Sequence, residues 1–165
     1  MKRCFEKISF NEFKKVFGDD KELYESYMLP DRATKYSAGY DFYAIKDYVL
    51  KPGEIIKIPT GYKAQFGPDE MLLIVVRGGM GFNYNIRMTN QIGVVESDYY
   101  NNVKNEGHFY VSLQNEGTEE YRINKNDRYA QAIFTKFLIC DDDNATGIRT
   151  GGFGSTNKKE GDKNE

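Results

Sequence analysis

The sequence has no tryptophan, one histidine and only two cysteines in 165 residues. Cys4 and Cys140 are far apart and have no CxxC spacing, so neither a disulfide framework nor a zinc site is indicated, and a reducing cytosol is expected. His108 lies in an alternating segment that predicts an exposed strand residue, and a histidine relay is not indicated. The side chains left for catalysis are carboxylates and arginines, with a metal ion.

The sequence also lacks a charge excess and a long apolar run. Its formal net charge is −2, so a surface that binds nucleic-acid backbone is disfavoured. No apolar segment follows the Met1-Lys2-Arg3 start, and none reaches the length of a membrane span. We expect a cytoplasmic protein with no nucleic-acid or membrane partner. A chain of this length often completes its pockets with other subunits, so an oligomer is expected.

Abundant Tyr, Phe and Gly residues, with few long helical patterns, predict a mostly β fold. Short strands separated by Gly or Pro turns are typical of a sandwich, jelly roll or barrel. The run 71–76 is apolar on both faces and predicts a strand buried on both sides. Phe109, Val111 and Leu113 alternate and should face the interior. Further strands are predicted at 41–44, 54–58 and 129–139.

The first residues differ from this pattern. Ser9 and Glu12 have capping-box spacing, and Phe10, Phe13 and Phe17 share one helical face, which predicts a short helix. A second helix is expected from Asp20 to about Met28. The predicted organisation is an N-terminal helical extension (1–28), a β domain (29–147), a glycine-rich C-terminal arm (148–156) and a disordered tail (157–165).

Two glycine-rich segments could bind phosphate. In the first, 149–156, backbone N–H groups and hydroxyls stand beside Arg149, although such termini are commonly linkers. Phe153 argues against a simple linker, because an aromatic side chain needs a surface to cover or a base to stack on. The second, Arg77-Gly78-Gly79, follows the predicted buried strand. An arginine at a glycine turn is its simpler interpretation.

Carboxylates supply the remaining chemistry. Asp41 lies between aromatic residues, where capping a turn is as well supported as a water-mediated contact to Mg²⁺. The segment from Gly93 to Tyr100 places Glu96 and Asp98 beside two tyrosines. Asp127-Arg128, ahead of Gln131, is by itself typical of a turn with a surface ion pair. This set of residues suits hydrolysis of a phosphate ester or phosphoanhydride.

These segments, in this order, resemble the motifs of the trimeric dUTPase family. The resemblance covers about residues 29–156 and rests on five motifs: Ala38 to Ala44, Arg77 to Gly81, Gly93 to Tyr99, Asp127 to Gln131, and Arg149 to Thr156. Each motif is modest alone, but five in order are specific. The family hydrolyses dUTP to dUMP and pyrophosphate, which keeps uracil out of DNA and supplies dUMP for dTMP synthesis.

The resemblance implies a jelly-roll-like β subunit (the β-clip fold) with short N-terminal helices, and a homotrimer with active sites shared between subunits. It implies that Glu96 activates the attacking water, with Arg149 also catalytic. Asn90 and Gly93 would bind uracil, Tyr99 the deoxyribose, and Phe153 would stack on the base. Asp41 would orient a water on Mg²⁺ that is held mainly by substrate phosphates. The phosphate contacts would come from Arg77, Gly78, Gly79, Gln131, Arg149, Gly154, Ser155 and Thr156.

The sequence departs from the family pattern at three positions. Glu96 stands where the family has aspartate, Gly78 where it has serine, and Arg149 is one residue closer to the aromatic residue than usual. These departures leave open a catalytically weakened dUTP-binding paralogue. A third hypothesis is the dCTP deaminase that shares this fold, but the position of its catalytic glutamate is occupied here by Ser112.

Overall fold

A computed structural model describes residues 2–152. In this part of the chain three α-helices and a short 3-10 helix accompany eleven strands. The helices are α1 (Phe10–Phe17), α2 (Lys21–Ser26), α3 (Gly78–Tyr84) and the 3-10 helix Ser97–Tyr99. The strands are β1 (Cys4–Lys7), β2 (Tyr40–Tyr43), β3 (Tyr48–Leu50), β4 (Ile55–Pro59), β5 (Tyr62–Gln65), β6 (Glu70–Val76), β7 (Ile86–Met88), β8 (Gly93–Glu96), β9 (Tyr110–Asn115), β10 (Tyr121–Ile123) and β11 (Arg128–Lys136).

All of the strand pairs are antiparallel. The larger sheets have the orders β2-β11-β6-β8 and β4-β9-β7, and two strand pairs, β1-β5 and β10-β3, complete the arrangement. Neighbours in these sheets are mostly distant in sequence, as in a jelly roll rather than a meander. The mostly β, jelly-roll-like prediction is confirmed. No helix among the described residues is long and apolar enough to span a membrane.

The core lies where the inward faces of the two larger sheets meet. Val111 and Leu113 of β9 are fully buried, as their alternation predicts, and Phe109 just before β9 is buried with them. In β6 the prediction of burial on both faces is wrong for this chain, because its residues alternate between buried and intermediate exposure. One face of β6 packs on the core, whereas the other is only partly covered.

The N-terminal segment packs on this core. Ser9 caps α1 by accepting a hydrogen bond from the backbone N–H of Glu12, and Asp20 caps α2 in the same way through Leu23. Phe13 is fully buried and packs against the rings of Phe10, Phe17, Tyr24 and Tyr27. Both predicted helices are therefore present. The segment also contains β1, which was not predicted and which pairs with β5.

The loop 101–107 contacts the start of α1. The backbone N–H of Ser9 donates to Glu106 Oε2 at 2.9 Å, and the Ser9 hydroxyl donates to Glu106 Oε1. Burial would raise the pKa of Glu106, but the Ser9 hydrogen bonds and the charge of Lys63 outweigh it and lower that pKa. This partly buried contact fixes the N-terminal helix to the loop that precedes β9.

His108 contradicts its predicted exposure, because its side chain is fully buried. Its Nε2 accepts a hydrogen bond from the backbone N–H of Gly61 at 2.9 Å. Its Nδ1 lies 4.0 Å from Glu12 Oε1 of α1, beyond hydrogen-bond distance. Burial lowers the pKa of His108 from 6.5 to about 4, so the imidazole is neutral at neutral pH.

We expect His108 to make the fold sensitive to acid. Because the folded pKa is lowered, the unfolded chain binds the proton more strongly between pH 6.5 and about 4, so stability falls as pH falls through this window. The loss for this group is about 1.4 kcal/mol per pH unit at most. His108→Gln can still accept the Gly61 N–H but does not titrate. Urea unfolding should show a shallower decline for H108Q between pH 6.5 and 5, and parallel curves would contradict the assignment.

Candidate functional site

A cavity of about 320 Å³ opens beside β8. Its volume is within the range of small-ligand pockets. Gly93 forms part of its wall, and a Cβ at this position would lie 3.3 Å from the Cβ of Ile74, so glycine allows β8 to approach β6 closely. We call this cavity the nucleoside pocket, after the ligand that the resemblance implies for it; its lining comprises Ile74, Met88, Asn90, Gly93, Val94, Val95, Glu96, Tyr99, Phe109, Tyr110, Arg149 and Gly152.

Tyr99 is the most enclosed polar residue of the nucleoside pocket, with 7% exposure. Its ring stacks on Phe109 with centroids 6.3 Å apart, and its hydroxyl donates to the carbonyl oxygen of His108 at 3.1 Å. Burial raises the pKa of Tyr99, so the phenol stays protonated at neutral pH. A rigid aromatic wall beside an exposed amide, Asn90, suits a ligand with an apolar ring face and a polar edge.

Two carboxylates and one arginine form an ion-pair cluster at this pocket, which Glu96 and Arg149 line. Glu96 ends β8, and Asp98 lies in the 3-10 helix that follows. Arg149 Nη2 is 3.0 Å from Glu96 Oε2, and Arg149 Nε donates to Asp98 Oδ1 at 2.8 Å. Both acids are about half exposed, so these ion pairs are open to water and can be exchanged for others.

A second cluster, which we call the arginine cluster, consists of Asp41, Arg77 and Arg128. Asp41 is buried, with Oδ1 3.1 Å from Arg77 Nε and Oδ2 3.2 Å from Arg128 Nη1. Two cations offset the desolvation of the buried carboxylate, which in turn fixes the directions of both guanidinium groups. The expectation that Arg128 forms only a surface ion pair beside its own turn is wrong, since its partner is on β2.

The other predicted phosphate contacts stand around the arginine cluster. Gln131 of β11 lies opposite Asp41 on β2 and opposite Val75 on β6. Arg77 is the N-cap of α3, so the backbone N–H groups of Gly78 and Gly79 belong to the first turn of that helix. A Cβ at Gly78 would meet no atom within 4 Å. A cavity of about 280 Å³ adjoins Arg77 and Arg128.

The nucleoside pocket and the arginine cluster are far apart within one chain. Glu96 pairs with Met71 of β6, whereas Asp41 shares a cross-strand row with Gln131 and Val75. Three strand spacings of about 4.8 Å and four residues of about 3.3 Å along the strands separate the backbone positions of Glu96 and Asp41, so their Cα atoms are about 20 Å apart along the sheet. The two cavities also share no lining residue.

The structure thus places Glu96, Arg149, Asn90, Gly93 and Tyr99 together, and Asp41, Arg77, Gly78, Gly79 and Gln131 together. Phe153, Gly154, Ser155 and Thr156 lie outside the described residues. Sequence reasoning missed Met88 and Tyr110 as lining residues, and the contribution of Phe109 was seen only as strand alternation. The sequence contains no pattern that predicts which residues of separate strands line the same pocket.

Comparison with known proteins points to one family. A dUTPase family model matches residues 25–157. The deoxyuridine 5'-triphosphate nucleotidohydrolase of Lactococcus lactis is 42% identical over 130 residues, covering 78% of this chain and 87% of that protein. The corresponding enzyme of Methylobacillus flagellatus is 38% identical over 141 residues, covering 81% of this chain and 90% of that protein.

Solved structures give the same result. The dUTPase of Streptococcus mutans superposes with a TM-score of 0.67 at 31% identity, covering 83% of this chain and 98% of that one. The dUTPase from phage phi11 of S. aureus shares the fold, with a TM-score of 0.65 at 16% identity over 91% of this chain and 99% of that one. The five ordered motifs, the matching family model and these relatives together show that the chain belongs to the dUTPase family.

Proposed function

We propose that this protein hydrolyses dUTP to dUMP and pyrophosphate. The observation that carries the proposal is the nucleoside pocket, where an aromatic wall and an exposed amide adjoin a carboxylate. Uracil would enter beside Asn90 and the backbone of Gly93, and the deoxyribose would lie on Tyr99. The α-phosphorus would then lie near Glu96.

In the reaction, Glu96 accepts a proton from a water molecule as the water oxygen attacks the α-phosphorus. The new oxygen–phosphorus bond forms as the bond to the bridging oxygen breaks, and pyrophosphate leaves with the electron pair of that bond. Arg149 is positioned to exchange its pairing with Glu96 and Asp98 for the substrate phosphates. This exchange would free the Glu96 carboxylate to accept the proton.

A magnesium ion fits this scheme when it is held mainly by phosphate oxygens. Among the residues that the structure describes, no group of three or more His, Cys, Asp or Glu side chains could hold a metal. Asp41 already pairs with two arginines, but its oxygens retain acceptor capacity for a metal-bound water. Bound to the triphosphate, Mg²⁺ would supply neutralisation of phosphate charge.

We further propose that each active site is shared between copies of the chain. A general base must be within hydrogen-bond reach of the attacking water, and the Cα atom of Glu96 is about 20 Å from that of Asp41 in the arginine cluster of its own chain. The arginine cluster that binds the triphosphate would therefore come from another copy. Three copies, as in the trimeric family, would form three such sites, with the arm residues Phe153, Gly154, Ser155 and Thr156 closing them.

The function is tested by measuring pyrophosphate release from dUTP, dCTP, dTTP and UTP, with and without Mg²⁺. We expect Mg²⁺-dependent release from dUTP alone. Tight dUTP binding in calorimetry without release would favour the weakened paralogue that Glu96 and Gly78 suggest. Ammonia release from dCTP would overturn the proposal in favour of the deaminase.

Restoring the family residues should raise the rate. Glu96→Asp shortens the side chain that accepts the proton, and a displacement of about 1 Å can cost on the order of 10²-fold in rate. Gly78→Ser adds a hydroxyl to open space near the phosphate contacts. We expect a gain in kcat on the order of 10-fold or more for the double variant, at unchanged dUTP affinity. A double variant that folds normally and gains nothing would contradict the roles given to these two positions.

Subunit mixing tests the shared site. Arg77→Ala removes the triphosphate contact, and Glu96→Gln removes the base, so each variant alone should be nearly inactive. When the two variants are co-refolded one to one, each half of a shared site is intact with a probability of about one half. Random assembly therefore leaves about a quarter of the shared sites with both residues intact. Recovery of about a quarter of wild-type activity is expected. If each site used residues of one chain only, the mixture would show no recovery.

A further inference from the structure

The loop 101–107 lies outside all five motifs, yet it folds tightly against Tyr99. Asn101 and Glu106 have φ of 55° and 59°, and Gly107 has φ of 83°. A Cβ at Gly107 would lie 2.6 Å from the carbonyl oxygen of Tyr99, so only glycine allows this approach. The loop closes on itself through a hydrogen bond from the Asn101 N–H to the Glu106 carbonyl oxygen at 2.9 Å.

Within this loop the Asn105 side chain points at the hydroxyl of Tyr99. Its Nδ2 donates to Tyr99 Oη at 2.9 Å and to the His108 carbonyl oxygen at 3.2 Å. Its Oδ1 accepts from Asn102 Nδ2 at 2.8 Å and from the Gly107 N–H at 3.2 Å. The Asn105 amide nitrogen thus donates two hydrogen bonds and its oxygen accepts two, all of them to the loop or to residues beside it. Exchanging the nitrogen and oxygen would break these bonds, so the amide has one favoured orientation.

The Tyr99 hydroxyl is consequently held from two sides. It donates to His108 and accepts from Asn105, while the ring stacks on Phe109. Among the described residues, Asn105 is the side chain that donates a hydrogen bond to this hydroxyl. The position of the ring in the nucleoside pocket is therefore set at its hydroxyl end.

The loop is itself fixed at its outer side. Glu106 accepts two hydrogen bonds from Ser9 at the start of α1. Lys63 of β5 donates to Asn101 Oδ1 at 2.7 Å and lies 3.5 Å from Glu106 Oε2. The N-terminal helix and β5 thus hold the loop whose inner side, through Asn105, holds Tyr99.

We propose that Asn105 is a positioning residue that fixes the Tyr99 ring against the sugar and thereby sets the preference for deoxyribose over ribose. This inference rests on the proposed function, in which the sugar lies on Tyr99. A ribose adds one hydroxyl to the face that meets the ring, so a shift of the ring away from the sugar opens space for it. Discrimination by pocket shape is sensitive to changes of this size.

The test compares binding of the non-hydrolysable α,β-imido analogues of dUTP and UTP by calorimetry, so it does not depend on turnover. Asn105→Ala should weaken binding of the deoxy analogue and lower the ratio of affinities, deoxy over ribo, by about 10-fold. Tyr99→Phe removes the Asn105–Tyr99 hydrogen bond from the other side, together with the bond to His108, and should lower the ratio similarly. The affinity ratio of the double variant should be no lower than that of the worse single variant, because both substitutions remove the Asn105–Tyr99 hydrogen bond.

Asn101→Gly is the matched control. It removes an amide side chain from the same loop at a residue whose φ suits glycine, and that side chain contacts Lys63 rather than Tyr99. Its affinity ratio should stay within about 2-fold of the wild type. A folded Asn105→Ala protein with an unchanged ratio would overturn the proposal. If Asn105→Ala does not fold, an unchanged ratio in Tyr99→Phe would overturn it equally.

The outcome is separable from that of the proposed function. Pyrophosphate release by the wild-type protein reports on hydrolysis alone, whereas the analogue affinities report on the sugar contact. A protein that binds the deoxy analogue selectively but releases no pyrophosphate would contradict hydrolysis and leave the role of Asn105 to be decided by the ratio. A wild-type protein that binds both analogues equally would overturn the role of Asn105.

Discussion

The pairing of β8 with β6 at one edge of the sheet, and of β2 with β11 at the other, is the constraint on which the arrangement of the site depends. Backbone hydrogen bonds fix the strand spacing, so they hold the Cα atoms of Glu96 and Asp41 about 20 Å apart along the sheet. If Glu96 activates the water and the arginine cluster binds the triphosphate, as we propose, one small substrate cannot reach both within one chain. On this proposal a single chain supplies two half-sites, which assembly joins.

Each half-site is organised by carboxylate–arginine pairs with different exposure. Asp41 is buried between Arg77 and Arg128, where losing either cation would leave a charge poorly compensated, so this pairing is structural and persistent. Glu96 and Asp98 pair with Arg149 in contact with water, where such pairs contribute little and exchange readily. The first pairing suits a fixed clamp, and the second suits residues that change partners when a substrate binds.

Much of this could be predicted from local patterns. Ser9 with Glu12 marked the start of α1, the alternation of Val111 and Leu113 marked the inner face of β9, and the ordered motifs identified the family. Strand β1 has only four residues, too few for a pattern to stand out, and its pairing with β5 depends on the rest of the fold. Helix α3 is rich in glycine, which has a low helix propensity, so it was missed.

Other features depend on contacts that no local pattern encodes. The alternation of apolar residues predicted that Phe109 faces the core and that its neighbour His108 faces solvent. Strand β9 begins only at Tyr110, however, and the residues before it do not follow the two-residue period of a strand. Arg128 reaches Asp41 across a register shift between β11 and β2, which the sequence does not reveal. Asn105 reaches Tyr99 through a loop with left-handed residues, so this contact could be recognised only from the structure.

Binding of one nucleotide by two copies of the chain would be visible in a crystal structure with α,β-imido-dUTP and Mg²⁺. We expect uracil beside Asn90 and Gly93, the sugar on Tyr99, and the triphosphate in contact with Arg77 of another copy. A triphosphate bound by Arg77 of the same chain that holds the uracil, or a nucleotide outside the nucleoside pocket, would contradict it.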